Sequence, residues 1–325
     1  MRPRYQRNAM QAFDQPLQEH TLETASVRWR LFDTGDKHAQ SSNDEVDLYL
    51  HGTGSSAHSW YPLIHHKAPA RRTLLIDLPG HAFTQLRSPP VRWPSNPMTS
   101  PLSLNAMSRS VIELIQQLDV KIHTLVGHSA GAAIACQLCL KKPDLARRII
   151  SINGALLPLN GLPGLIFSPI ARFSATSVLA SRYFSKRLQD DQQIDRLLKN
   201  TGSVISDAQR DHYAQLCRNE HHVTAALRMM ASWDLNSLYR QLPTLSVETI
   251  WIGCELDRMI PPKDTSTLVN TVPHSQAVVI KKTGHLVHEE RPDLIAPIIG
   301  SGDISHLQSA AADPGPSVIQ GLYHG

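Results

Sequence analysis

Ile122-His123-Thr124-Leu125-Val126-Gly127-His128-Ser129-Ala130-Gly131 is the stretch that decides the fold. Its first five residues form an apolar run of strand type, and Ala132-Ala133-Ile134-Ala135-Cys136-Gln137-Leu138 behind it reads as helix. A serine between two glycines at a strand-to-helix turn is the G-x-S-x-G arrangement, in which a tight turn pushes the side chain up and out. Small neighbours let the strand and the helix crowd together without a clash. Because the strand and the helix both stand where the motif needs them, Ser129 reads as a nucleophile. The alternative is that it merely ends a buried strand.

Partners for that serine follow downstream in the order nucleophile, acid, histidine. Val247-Glu248-Thr249-Ile250-Trp251-Ile252 is a strand-like run followed by Gly253-Cys254-Glu255-Leu256-Asp257, which puts Asp257 on the loop beyond a strand end. Ala277-Val278-Val279-Ile280 is a further strand, and Thr283-Gly284-His285 lies on the loop after it. In this reading Ser129 attacks a carbonyl carbon, His285 takes its proton, and Asp257 orients and stabilises the imidazolium. Glu255 and Asn153 are rivals to Asp257. His288 is a rival to His285, which is preferred because it directly follows the glycine.

Oxyanion stabilisation is the fourth requirement. Val46-Asp47-Leu48-Tyr49-Leu50 is a strand leading into His51-Gly52-Thr53-Gly54. This glycine-rich turn is placed to aim the Thr53 N–H at developing negative charge, with the Ala130 N–H as second donor. The alternative is an ordinary strand-terminal turn. Gly54 and His128 beside these groups, with Met230 and Trp233 further along, are the candidate substrate contacts.

Working outward, Ser26–Phe32 alternates as a strand that Val46–Leu50 is expected to pair with, and Thr73–Asp77 is a third strand. Residues 88–101 are rich in proline and read as an irregular loop. Ser103 opens a helix with Leu104, Met107, Val111, Leu114, Ile115 and Leu118 at helical spacing. Strands alternating with helices predict an α/β fold, a mostly parallel central sheet with helices on both faces. From about 155 to 243 the pattern becomes helical, with Ser206-Asp207-Ala208-Gln209 as a capping box and Val223, Leu227, Met230 and Trp233 on one side of a helix at 220–233. An all-helical insertion between two sheet strands reads as a cap. Its apolar content, including Phe167, Phe173, Phe184, Met229, Met230 and Trp233, suggests a greasy pocket, the alternative being packing of the cap onto the sheet. The expected organisation is an N-terminal extension at 1–25, a core at 26–154 and 244–300, a helical cap at 155–243 after the sixth strand, and a flexible tail at 301–325.

Composition narrows the function classes. The chain is 325 residues, 41% hydrophobic and 18% charged, with a formal net charge of +4 and no long Lys/Arg block. Nucleic acid is therefore not an expected partner. Cys136 and Cys139 form a C-x-x-C, but it lies inside the helix after the nucleophile with no second pair at zinc-site spacing, so both read as packing residues. Seventeen histidines are many, yet the pairs His65/His66 and His221/His222 lack metal-ligand spacing. No metal and no cofactor is expected, since a serine triad requires neither. The N-terminus has charge without an apolar run behind it, and no stretch reaches the length of a spanning helix, so the expected location is cytoplasmic.

The order of elements, the turn at Ser129 and Gly284-His285-Leu286-Val287-His288-Glu289-Glu290-Arg291-Pro292 resemble the α/β-hydrolase superfamily over roughly residues 25–300. Ala82 and Thr84 depart from it, standing where many relatives have glycine and serine. A narrower likeness exists in His51–Trp60, Gly127–Ala135, Asn153–Pro158, Phe167–Arg172 and Ala226–Leu235, which resemble the magnesium-chelatase accessory proteins of photosynthetic bacteria. That resemblance implies a role in bacteriochlorophyll synthesis near magnesium insertion, with magnesium-chelatase subunits as partners and a tetrapyrrole as the apolar small-molecule substrate. It supplies a pathway and not a mechanism. Two readings follow: a serine hydrolase acting on an ester or related acyl bond, and a non-catalytic tetrapyrrole-binding accessory or carrier. A carbon–carbon bond hydrolase would share the same triad, and a cap of this composition is a candidate for peripheral membrane contact.

Overall fold

The computed structural model describes residues 17–35, 45–66, 71–88, 99–158, 186–187, 190–305 and 317–319. The chain builds one sheet from β1 (Gln18–Glu23), β2 (Val27–Asp33), β3 (Glu45–Leu50), β4 (Thr73–Ile76), β6 (Lys121–His128), β7 (Ala146–Ile152), β8 (Glu248–Cys254), β9 (Ser275–Ile280) and β10 (Ser317–Ile319). The two-residue β5 (Gln85–Leu86) pairs with β2 off this path. Spatial order is β1-β2-β4-β3-β6-β7-β8-β9-β10. From β4 to β9 every neighbour is parallel, and the edge strands β1, β2 and β10 pair antiparallel.

Strands of the parallel part are buried on both faces, as crossover helices require. Leu48, Leu125, Ile149 and Trp251 face one core with α2 (Leu104–Leu118), α3 (Ala130–Lys141) and α8 (Lys263–Thr271). Their neighbours Tyr49, Val126, Ile150 and Ile252 face the other core, closed by α1 (Tyr61–His66) and α10 (Pro292–Ser301). α2 begins at Ser103, whose hydroxyl accepts from the Ala106 N–H, and its buried stripe holds Leu104, Met107, Val111, Leu114 and Ile115 as read from the sequence, with Leu118 partly buried at its end. Leu50, Gly127 and Ser151 pair across β3, β6 and β7, and Ser151 pairs with Trp251 on β8. The loops leaving these strands therefore emerge together at the carboxyl edge, where open α/β sheets place their sites.

Between β7 and β8 the described residues hold α4 (Asp191–Lys199), α5 (Asp207–Cys217), α6 (Glu220–Ala231) and α7 (Leu235–Gln241) and no strand. This insertion follows the sixth strand of the sheet path, β7. The capping box at Ser206 is formed, with Gln209 returning its side chain to the Ser206 N–H. On α6 the buried residues are His222, Val223, Ala225, Ala226, Met229 and Ala231, while Leu227 and Met230 are half-buried. The face is thus rotated from the one expected, because helical periodicity gives spacing without fixing which neighbour the helix meets. Among the described residues no helix is long and apolar enough to cross a membrane.

Three expectations need correction. The sheet begins at Gln18, inside the stretch read as an extension, because β1 pairs along its whole length with β2. β3 does not pair with β2, since β4 lies between them. Ser317–Ile319, expected in a flexible tail, pairs with Ala277–Val279 at the far edge. Phe167, Phe173, Phe184 and residues 89–98 lie outside the described residues, as do Met1–Arg7.

Candidate active site

Ser129 sits at the N-cap of α3 with φ 52° and ψ −114°, the left-handed half of backbone space that a non-glycine residue rarely enters. Its backbone is held from several sides. The N–H donates to Ile152 O at 2.9 Å, and its carbonyl accepts from Ala132 and Ala155 at 3.2 and 3.0 Å. The flanking glycines are required by close approach: a Cβ on Gly131 would stand 1.9 Å from Leu50 O, and one on Gly127 would stand 2.5 Å from the Ala132 Cα. The side chain is half-buried among buried neighbours. Ala130 opens α3, so its N–H belongs to the first turn, whose backbone donors form the positive end of the helix dipole.

The acid and the histidine meet. His285 Nδ1 and Asp257 Oδ2 are 2.7 Å apart and both side chains are buried. A carboxylate only accepts, so Nδ1 carries the proton and Nε2 is left basic. Asp257 Oδ1 also accepts from the Met259 and Ile260 N–H groups, at 2.7 and 2.9 Å, which fixes the carboxylate plane. The rivals lie elsewhere. Glu255 is exposed and accepts from the Lys282 N–H, while His288 is buried between Trp60 and His128, ring centroids 4.6 and 4.4 Å away. Burial, with His285 beside it, holds the His288 imidazole down to about 3.

Asn153 is the third rival, and it faces the histidine loop: its Nδ2 donates to Gly284 O at 3.2 Å and to His285 O at 2.9 Å. His128 Nε2 also donates to His285 O at 2.9 Å, and the two rings lie 4.6 Å apart. The residue that precedes the serine is thus in direct contact with His285. His128, expected as a substrate contact, is buried and engaged with the backbone instead. The cap closes the other side of the loop, with Thr201 O accepting the His285 N–H at 2.9 Å and Ser203 Oγ accepting the Leu286 N–H at 2.8 Å.

The turn at 51–54 approaches Ser129 directly. A Cβ on Gly52 would lie 3.1 Å from the Ser129 Cβ. Thr53 and Gly54 are half-buried, and Gly54 has φ 75°. The Leu78 N–H donates to His51 Nε2 at 2.9 Å, so His51 carries its proton on Nδ1, which donates to Gly52 O at 2.8 Å. In a trans peptide the N–H points opposite its C=O, so gripping Gly52 O orients the Thr53 N–H. The Ser55 N–H grips the same oxygen at 3.2 Å. Burial pushes the His51 pKa down to about 3 and keeps this imidazole neutral. Sequence reasoning passed over His51, whose only signal was its place at the end of a strand before a glycine.

Of the apolar candidates, Met230 is half-buried, and its neighbour Met229 is the one that reaches the turn, with Thr53 Oγ1 3.8 Å from its sulfur. Trp233 is committed to packing: it is buried in the larger core and its indole N–H donates to Leu102 O at 3.0 Å. Cys136 and Cys139 are free and buried, and burial pushes the Cys139 thiol up to about 12, so neither is reactive. No group of histidine, cysteine or acidic residues able to hold a metal ion occurs among the described residues.

The model of the alpha/beta hydrolase family matches residues 48–298. Over 277 residues the chain is 32% identical to a protein named magnesium-chelatase 30 kDa subunit from Rhodobacter capsulatus, covering 84% of this chain and 90% of that one. It is 25% identical over 264 residues to a pimeloyl-[acyl-carrier protein] methyl ester esterase of Yersinia enterocolitica, covering 78% and 90%. A thermophilic esterase from Thermogutta terrifontis superposes with a TM-score of 0.62 at 21% identity, covering 87% of this chain and 96% of that one. The chain belongs to the alpha/beta hydrolase family and is an enzyme of the serine-hydrolase type.

Proposed function

We propose that this alpha/beta hydrolase cleaves an ester or related acyl bond of a bulky apolar small molecule held between the sheet edge and the cap at 155–243. The observation that carries the reading is the 2.7 Å contact of His285 with Asp257 beside a serine on a strained strand-to-helix turn. Ser129 Oγ attacks the substrate carbonyl carbon as its proton passes to His285 Nε2. The carbonyl oxygen becomes an oxyanion facing the Thr53 and Ala130 N–H groups, one such donor being worth roughly 100- to 1000-fold in rate. His285 then returns the proton to the leaving oxygen, giving an alcohol and an acyl-serine. Water attacks the acyl carbon, His285 takes its proton and passes it to Ser129, and the acid departs.

The pathway rests on the chelatase-named relative and on the likeness of the turn, nucleophile and α6 segments. Together they support a place in bacteriochlorophyll synthesis near magnesium insertion, with an ester-bearing tetrapyrrole as substrate. The word subunit in that relative's name favours a second reading, a tetrapyrrole-binding accessory that works with magnesium chelatase and does not cleave its ligand.

One experiment separates the two. In a photosynthetic host lacking this gene, wild type and Ser129→Ala are compared for restored bacteriochlorophyll at equal protein level. Hydrolysis as the essential role predicts that Ser129→Ala leaves pigment at the level of the deletion and accumulates an esterified intermediate. Full rescue by Ser129→Ala would establish the accessory reading.

A further inference from the structure

α6 of the cap carries His222, Ala225 and Met229 at i, i+3 and i+7, one face of the helix. That face lies on two core loops at once. The Ala82 N–H donates to His222 Nδ1 at 3.0 Å, so the ring proton sits on Nε2, and Nε2 donates to Gly54 O at 3.1 Å. Ala225 meets the 78–82 loop so closely that a Cβ on Gly80 would stand 2.7 Å from the Ala225 Cβ. Met229 touches Thr53. The start of the helix is itself fixed, since Asn219 Oδ1 accepts from the His221 and His222 N–H groups.

His51 holds the Gly52 carbonyl from the core side, and His222 holds the Gly54 carbonyl from the cap side. Thr53 lies between the two gripped peptides. His81 fills the gap, with ring centroids 5.3 Å from His51 and 5.2 Å from His222. A turn with glycine on both sides of Thr53 has wide conformational freedom of its own. Its geometry is therefore set by what grips its carbonyls.

We propose that His222 is a positioning residue for the oxyanion turn, so that the site is complete only when α6 of the cap is docked. This rests on the reading that the Thr53 N–H is an oxyanion donor. The hydrolytic machinery is then shared between core and cap, and a cap that lifts away takes the restraint on Gly54 with it.

Three variants of the full-length protein test this with p-nitrophenyl butyrate as substrate. His222→Phe keeps a ring and loses both hydrogen bonds. His222→Asn keeps an acceptor at the Nδ1 position for the Ala82 N–H but cannot reach Gly54 O. His222→Gln places an amide near the Nε2 position. The expected result is a fall in kcat of roughly 10- to 100-fold for Phe and Asn, a fraction of the cost of losing a donor outright. KM changes less than about 3-fold, and Gln recovers most of the loss. Inhibition by a trifluoromethyl ketone, whose hemiketal oxyanion occupies the same donors, weakens in parallel with kcat. Thermal midpoints do not follow that order, which separates positioning from stability. Should His222→Phe fail to fold, the Asn and Gln pair decides the matter alone.

Ser129→Ala in the same assay, with fluorophosphonate labelling of Ser129, keeps the two readings apart. If Ser129→Ala abolishes turnover while the His222 variants keep kcat, or lose only KM, the positioning role is wrong and the hydrolase stands. If the wild type neither turns over nor labels, or Ser129→Ala retains turnover, the hydrolase reading falls and this one with it.

Discussion

Asp257 accepts three hydrogen bonds, and their arrangement predicts what its amide would do. In Asp257→Asn the remaining oxygen stays with the Met259 and Ile260 N–H groups, which need an acceptor. The new NH2 then faces His285 Nδ1 and forces the ring proton onto Nε2, where it cannot receive the Ser129 proton. Turnover of a p-nitrophenyl ester should fall about 10,000-fold, with KM nearly unchanged. A loss below about 10-fold would show that Asp257 does not set the His285 tautomer for catalysis. Asp257 and His285 were legible because each stands on a loop just past a strand that its own sequence announces. Asn153, His128 and His51 were not, and for one physical reason. Each acts on a backbone carbonyl, His285 O or Gly52 O, and a carbonyl has no residue type to be read. Their side chains show what can be donated, while only the fold shows to whom.

At the scale of elements, α5 of the cap is tied to α9 (Val287–Glu290) through a buried acid. Tyr213 Oη donates to Glu289 Oε1 at 2.5 Å and Gln209 Nε2 to Oε2 at 3.2 Å. Burial pushes the Glu289 carboxyl up to about 8, and those two hydrogen bonds only partly oppose it. His288 beside it is neutral and supplies no counter-charge. The folded state thus holds a proton that the unfolded chain releases above its ordinary value of 4.5, so stability falls as pH rises from about 4.5 to 8. Glu289→Gln removes that loss. It should melt close to wild type at pH 5 and several degrees higher at pH 8.5, on the order of 2–4 kcal/mol. Equal melting at pH 8.5 would mean that the carboxylate is solvated and the tie is loose. The sequence announced α5 by its capping box but gave no sign of this partner seventy-odd residues away. Nor did it announce β1, which faces solvent on nearly every residue and pairs without the alternation that marks a half-buried strand.

At the scale of the molecule, the described residues include a set of buried histidines that respond to acid together. His51, His58, His81, His128, His222 and His288 are all buried, and burial holds every one below the ordinary 6.5, His51 and His288 to about 3 and His222 to about 4. Neighbouring imidazoles add to the effect by repelling one another's charge. Here the unfolded chain binds the protons and the folded chain does not, so stability is lost as pH falls below 6.5, the reverse of Glu289. Each imidazole contributes up to about 1.4 kcal/mol per pH unit, so six together reach roughly 8 kcal/mol per unit, opposed by the carboxyls of Glu289, Asp77, Asp47 and Asp264, which burial raises. A fold with an ordinary stability of about 5–15 kcal/mol is consumed within one to two units. Acid unfolding should therefore be centred between about pH 4.5 and 6, with several protons taken up cooperatively, as measured by urea titrations across a pH series. His288 singles out the cause, because neither of its ring nitrogens has a hydrogen-bond partner among the described residues. His288→Leu fills similar space between Trp60 and His128 without a titrating group. It should shift the acid midpoint downward and reduce the proton uptake by about one. A midpoint below pH 4 with single-proton uptake in the wild type would show that these rings are reached by water in the folded protein.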